Sequence, residues 1–165
     1  MILVDSFNWF LQLGIKNLKQ AIEQFLQSKS IAIVGMSSKR AKFGNLAYKE
    51  LSKKNFNLYP IHPKAKKIDR AQCFANLKDI KDNIDGVLIS VQPTEAEKVV
   101  QSAHEAGIKN VWLQQGAQSD STIQFCKDNG MNVVHNECIL MFAKPVTSFH
   151  KFHRWVWKIL GKLHK

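Results

Sequence analysis

The sequence is short of acid: 13 Asp+Glu stand against 24 Lys+Arg, a formal net charge of +11 over 165 residues. That imbalance calls for an anionic partner, which could be nucleic acid, an acidic membrane surface or a phosphorylated ligand. Cysteine is scarce too. Cys73, Cys126 and Cys138 form neither a C-x-x-C pair nor an even set, which excludes a disulfide framework and reads as reduced thiols in a cytoplasmic protein. No apolar run approaches the ~20 residues that a spanning helix requires. Met1–Phe10 is apolar but carries Asp5 where a signal peptide would place positive charge, and no small-residue cleavage site precedes Gly14, so export is not expected. H-E-x-x-H, C-x-x-C and G-x-S-x-G are all missing, and His62, His104 and His135 fall on different elements. Neither a metal site nor a catalytic residue is expected. The sequence has a globular composition, 45% hydrophobic and 22% charged, of a size for one domain.

Along the chain, residues 7–26 read as a helix. Leu11, Ile15, Leu18, Ile22 and Phe25 recur at steps of four and three, one apolar stripe that packs on the domain or a second subunit, with a membrane surface as the alternative. From Ser30 short strands and helices alternate. SIAIV (Ser30–Val34), NLYPI (Asn57–Ile61), DGVLISV (Asp85–Val91), NVWL (Asn110–Leu113) and MNVVH (Met131–His135) read as strands, and 43–54, 94–106 and 119–129 as helices. Thr94 and Glu97 have capping-box spacing, and Gly107 and Gly130 supply stops. This alternation predicts βαβ units, hence a Rossmann-like α/β fold with a doubly wound, mostly parallel sheet. The chain divides into an N-terminal helical extension (1–29), the α/β domain (30–143) and a basic amphipathic C-terminal helix (144–165).

In an open α/β sheet the ligand sits outside the carboxyl ends of the strands, where strand order reverses. The loop after the first strand runs Gly35-Met36-Ser37-Ser38-Lys39-Arg40-Ala41-Lys42-Phe43-Gly44 and opens a helix, the setting of an anion site. It is neither G-x-G-x-x-G nor a Walker A loop. Where an NAD-binding domain places an acid after its second strand, this chain has His62-Pro63-Lys64, then Lys66 and Lys67. That sign suits a phosphate on the ribose. Between residues 35 and 67 nine Lys/Arg face one acid, Glu50, for +8. Between 144 and 165 six face none, for +6, so the remainder is net −3.

The residues SIAIVGMSSKRAKFGNLAYKEL, LYPIHPK, DGVLISVQP, AGIKNVWLQQGA and GMNVVHNECI, between about Phe25 and Phe142, resemble the small stand-alone CoA-binding proteins. Their fold is the CoA-binding domain of the succinyl-CoA synthetase α subunit. The resemblance implies a coenzyme A site at the carboxyl edge of the sheet. Gly35, Ser37, Ser38, Lys39 and Arg40 would line the phosphate loop. Lys64, with His62, Pro63 and Lys66 beside it, would meet the 3′-phosphorylated adenosine, and Val91, Gln92, Pro93, Gln114 and Gln115 would flank the adenine and pantetheine path. In the synthetases the catalytic histidine belongs to a further domain, so the ligase reaction does not carry over. The expected function is binding, sensing or carrying CoA or an acyl-CoA without catalysis. The alternatives are an NADP(H)-binding oxidoreductase and a basic module for membranes or nucleic acid, nucleic acid ranking last. A softer expectation places Cys138 near the CoA thiol, while a Cys138–His135 catalytic pair, three residues apart in a turn, is not expected.

Phe149–Leu163 carries an apolar stripe (Phe149, Phe152, Val156, Ile159, Leu160, Leu163) beside a cationic one (Lys151, Arg154, Lys158, Lys162, Lys165). It reads as a helix docked on the domain, on a second copy or on a partner protein, with a peripheral membrane contact as the next reading.

Overall fold

A computed structural model describes residues 17–143. The first part of the expected N-terminal helix (7–16) and the expected basic C-terminal helix (144–165) lie outside the described residues. Five strands, β1 (Ser30–Val34), β2 (Asn57–Ile61), β5 (Gly86–Ile89), β6 (Asn110–Gln114) and β7 (Asn132–Glu137), form one sheet in the order β2-β1-β5-β6-β7. Every neighbouring pair is parallel. Helices α1 (17–26), α2 (Phe43–Leu51), α3 (Pro93–Glu105) and α4 (Asp120–Asp128) cover its faces.

Alternation along the strands divides the interior into two cores. Ile31, Ile33, Leu88, Trp112 and Val134 face α1 and α2, meeting Ile22, Phe25, Ala47 and Leu51. Ala32, Val87, Ile89, Val111 and Leu113 face the other way, onto Ala96, Val100 and Ala103 of α3 and Cys126 of α4. A strand buried on both faces must be apolar throughout, which is why GVLI shows no polar alternation. Phe25, fully buried, meets the Trp112 ring edge-on at 5.2 Å. Asn132 Nδ2 donates to the Ala21 carbonyl at 3.0 Å. Helix α1 is thus a structural part of the sheet's cover.

The chain goes from β1 outward to β2, then crosses back to β5 on the other side of β1. The carboxyl ends of β1 and β5 therefore define the switch point. At the opposite end Asp85 Oδ2 accepts from the Lys29 and Ser30 amides, both at 2.9 Å, tying β1 to β5.

Several details differ from the sequence reading. The Thr94–Glu97 capping box does not form: Gln92 is the N-cap and makes no side-chain cap bond, while Pro93 opens α3. Proline suits the first helical position because that amide needs no partner. The third long strand is Gly86–Ile89 and the last reaches Glu137. Helix α2 ends at Leu51, with 52–55 forming turns. An antiparallel hairpin of β3 (Lys67–Ile68) and β4 (Ala71–Gln72), and a 3-10 helix Lys78–Asn83, were not foreseen. Among the described residues no helix is long and apolar enough to cross a membrane.

Candidate functional site

The loop after β1 is shaped by two glycines. Gly35 has φ 115, and a Cβ there would sit 2.2 Å from the Ser90 carbonyl oxygen, so the loop passes against the end of β5. A Cβ on Gly44 would lie 2.6 Å from the Gly35 carbonyl carbon and 2.8 Å from the Met36 amide nitrogen. Gly44 thus lets α2 rest on the loop. It fills the close-packing role of the last glycine in a dinucleotide fingerprint, nine positions after the first rather than five. The spacing alone, which does not match G-x-G-x-x-G, hides this role.

Asn45 clasps the loop. Its Oδ1 accepts from the amides of Ser37 (3.0 Å) and Lys42 (3.2 Å), and its Nδ2 donates to the Ser37 carbonyl at 3.0 Å. Ser37 Oγ accepts from the Lys39 and Arg40 amides at 3.3 and 3.4 Å. Four loop amides are therefore used within the loop, leaving the cationic side chains and the helix end to meet an anion. Lys42 caps α2, whose first turn holds no acid to offset the positive end of the helix. Asn45 was missed because its signal, an Asn at the third helical position, is common at any helix start.

Two clefts adjoin this loop. One, of about 880 Å³, is bounded by Ser37 to Lys42, by Asn45, Leu46, Tyr48, Lys49 and Ser52 of α2, and by Asp69, Arg70 and Ala71 at the β3–β4 hairpin. The other, of about 610 Å³, lies over the ends of β5 and β6 and is bounded by Arg40, Lys42, Phe43, Ser90, Val91, Gln92, Glu95 and Gln114 to Ala117. Arg40 and Lys42 belong to both. The structure thus brings Ser37, Ser38, Lys39, Arg40, Val91, Gln92, Gln114 and Gln115 together around one loop, with Gly35 beneath it and Pro93 beginning α3.

His62, Pro63, Lys64 and Lys66 follow the end of β2, beside the end of β1, and line neither of these two clefts. His62 Nδ1 accepts from the amides of Lys64 (3.2 Å) and Ala65 (2.9 Å), so this ring shapes the turn that presents Lys64. Arg70 and Lys49, which do line a cleft, were not singled out by the sequence.

The far wall is braced. Gln114 is buried, and its Oε1 accepts from the Ile139 amide at 3.3 Å. Gln118 links the Gly116 amide (2.9 Å) to Asn136 Oδ1 (2.6 Å). Burial pushes the Cys138 thiol up, only partly offset by its hydrogen bond to Gln114. Cys138 lines neither cleft, so the structure places no reactive thiolate there. Burial likewise raises Glu137 to about 7, and burial together with Lys127 holds His135 below its ordinary value. Among the described residues no group of three His, Cys, Asp or Glu is arranged to hold a metal ion.

Residues 29–144 match the family model described as CoA binding domain. The acetate–CoA ligase (ADP-forming) of Methanocaldococcus jannaschii is 35% identical over 81 residues, 49% of this chain and 12% of the ligase. The chain thus spans a small part of that relative's length. Protein YneT of Bacillus subtilis is 26% identical over 122 residues, covering 73% of this chain and 90% of YneT. The solved structure of a conserved hypothetical protein from Pyrococcus furiosus aligns with a TM-score of 0.64 and 32% identity, over 67% of this chain and 96% of that one. A parallel sheet with a glycine-shaped, cation-bearing loop at its switch point, together with the match over 29–144, shows that this chain belongs to the CoA-binding domain family.

Proposed function

We propose that the protein binds coenzyme A, free or acylated, at the carboxyl edge of the sheet, with the loop 35–42 against the diphosphate and the pantetheine along β5 and β6. The observation that carries this reading is the junction of the two clefts at Arg40 and Lys42, beside a helix end free of acid. CoA carries a diphosphate and a 3′-phosphate, about four negative charges at neutral pH. Cationic side chains at a helix N-terminus suit such groups through charge-assisted hydrogen bonds.

The chain acts as a binding, sensing or carrier protein rather than as a catalyst. Among the described residues no cysteine or histidine lines either cleft, and the two carboxylates that do, Asp69 and Glu95, sit in different ones. Nucleophile–base and paired-carboxylate chemistry need such groups within hydrogen-bond reach of one reacting atom. A calorimetric titration against CoA, acetyl-CoA and NADP at fixed ionic strength tests this reading. CoA and acetyl-CoA should bind alike, more tightly than NADP, and acetyl-CoA should be recovered intact. NADP binding tighter than CoA, or turnover of acetyl-CoA, would overturn it.

A further inference from the structure

A separate groove lies between the end of α1 and the turn that enters β2. It holds about 480 Å³ and, among the described residues, is lined by Glu23, Leu26, Gln27, Phe56, Phe142 and Ala143. It shares no lining residue with either cleft. Leu26, Phe56 and Phe142 are only half-buried, although all three pack on the core around Trp112. The Phe142 ring lies 6.0 Å from that of Trp112. The groove is thus apolar at its base, while Glu23 and Gln27, which also line it, are exposed.

The chain leaves the described domain through this groove. Ala143 is buried there, and its carbonyl accepts from Lys54 Nζ, which ties the exit close to Phe56. Phe149, the first residue of the C-terminal apolar stripe, comes six positions later, a reach of about 20 Å when extended. Phe149, Phe152, Val156, Ile159, Leu160 and Leu163 recur at helical spacing. A helix this short is marginal in water unless a surface covers its apolar face. Charge agrees with this pairing: the groove's ionisable lining residue is an acid, Glu23, and residues 144–165 hold six Lys/Arg and no acid. The family match runs over 29–144, so α1 and the stripe both lie outside it.

We propose that residues 149–163 form an amphipathic helix that seats its apolar stripe in this groove of the same chain, covering Leu26, Phe56 and Phe142. The cationic stripe is then left to Glu23 and to solvent. Tethering favours the chain's own tail over a second copy, because a short linker supplies an effective concentration on the order of millimolar.

Amide hydrogen exchange of the full chain tests the docking from both sides, with wild type, Leu26→Glu and Phe152→Glu/Ile159→Glu, alongside light scattering for the oligomeric state. Wild type should be monomeric, with peptides in 149–163 protected. Leu26→Glu should speed exchange in 149–163 at least about tenfold, and the tail variant should speed it in 23–27 and 54–57 by a similar factor, on the scale of unseating apolar side chains. Peptides from β5 and β6 should keep wild-type rates, which shows that each variant is folded. If Leu26→Glu loses protection across the sheet, the tail variant, whose substitutions lie outside the α/β domain, decides alone. An unprotected 149–163 in wild type, or groove peptides indifferent to the tail variant, would overturn the docking. A dimer that the tail variant dissociates would overturn it in favour of a second copy. Protection of 149–163 that arises only with phosphatidylserine vesicles would overturn it in favour of a membrane surface.

Discussion

Asn45 and Ser37 are joined by a reciprocal pair of hydrogen bonds, amide to Oδ1 and Nδ2 to carbonyl, each 3.0 Å long. A side chain in the first turn of α2 thereby mimics a backbone partner and closes the loop on its own helix. Asn45→Ala leaves the Ser37 and Lys42 amides without that acceptor. It should cost about 1–2 kcal/mol of stability by chemical denaturation and weaken CoA about tenfold. Unchanged affinity would mean that the loop is held without the clasp.

Gly44 admits no side chain where it stands. Gly44→Ala places a methyl 2.6 Å from the Gly35 carbonyl carbon, a contact with backbone that no rotamer relieves. Helix α2 must shift, at a cost of about 1–3 kcal/mol. The variant should melt lower and bind CoA more weakly. An unaltered melting temperature would contradict this packing.

Arg40 borders both clefts, so its charge serves the part of the ligand common to CoA and dephospho-CoA. Arg40→Ala should weaken both to the same extent, about tenfold at low salt and less at high salt. A selective loss for CoA would move the 3′-phosphate onto Arg40.

Glu137 supplies a pH signature. Burial raises its carboxyl from 4.5 to about 7, so the native state holds that proton more tightly than the unfolded chain. The associated stabilisation is complete below about pH 4.5 and is lost as pH rises through about 7, on the order of 2–3 kcal/mol. His135, held low by burial and by Lys127, acts oppositely: its contribution is lost as pH falls below its ordinary 6.5. The clean readout is therefore the difference between wild type and Glu137→Gln. Thermal melts should place the Gln variant level with wild type near pH 4.5 and progressively above it toward pH 8. A gap constant across that range would contradict the assignment.

The five parallel strands were legible because each carries an apolar or β-branched stretch between turn residues, whereas their order, which sets the switch point, came only with the fold. The β3–β4 hairpin was not, because KIDRAQ offers two-residue strands with polar neighbours and one anchoring residue, Ile68. The loop after β1 was legible as strand, glycine and cations before a helix. Its internal clasp was not: Asn45 gains its role only once the loop has folded back on α2. Charge could be counted along the chain but not assigned to a face. Lys64 and Arg70 are equivalent in sequence, and only the folded hairpin sets one in a cleft and leaves the other outside it.

Amide hydrogen exchange with and without CoA tests the central claim most directly, because it reports ligand and place together. Saturating CoA should slow exchange in peptides spanning 36–46, 90–95 and 114–118, and an equal concentration of NADP should do so less. Protection confined to other segments, or none with CoA at any concentration, would contradict a CoA site at the carboxyl edge of this sheet.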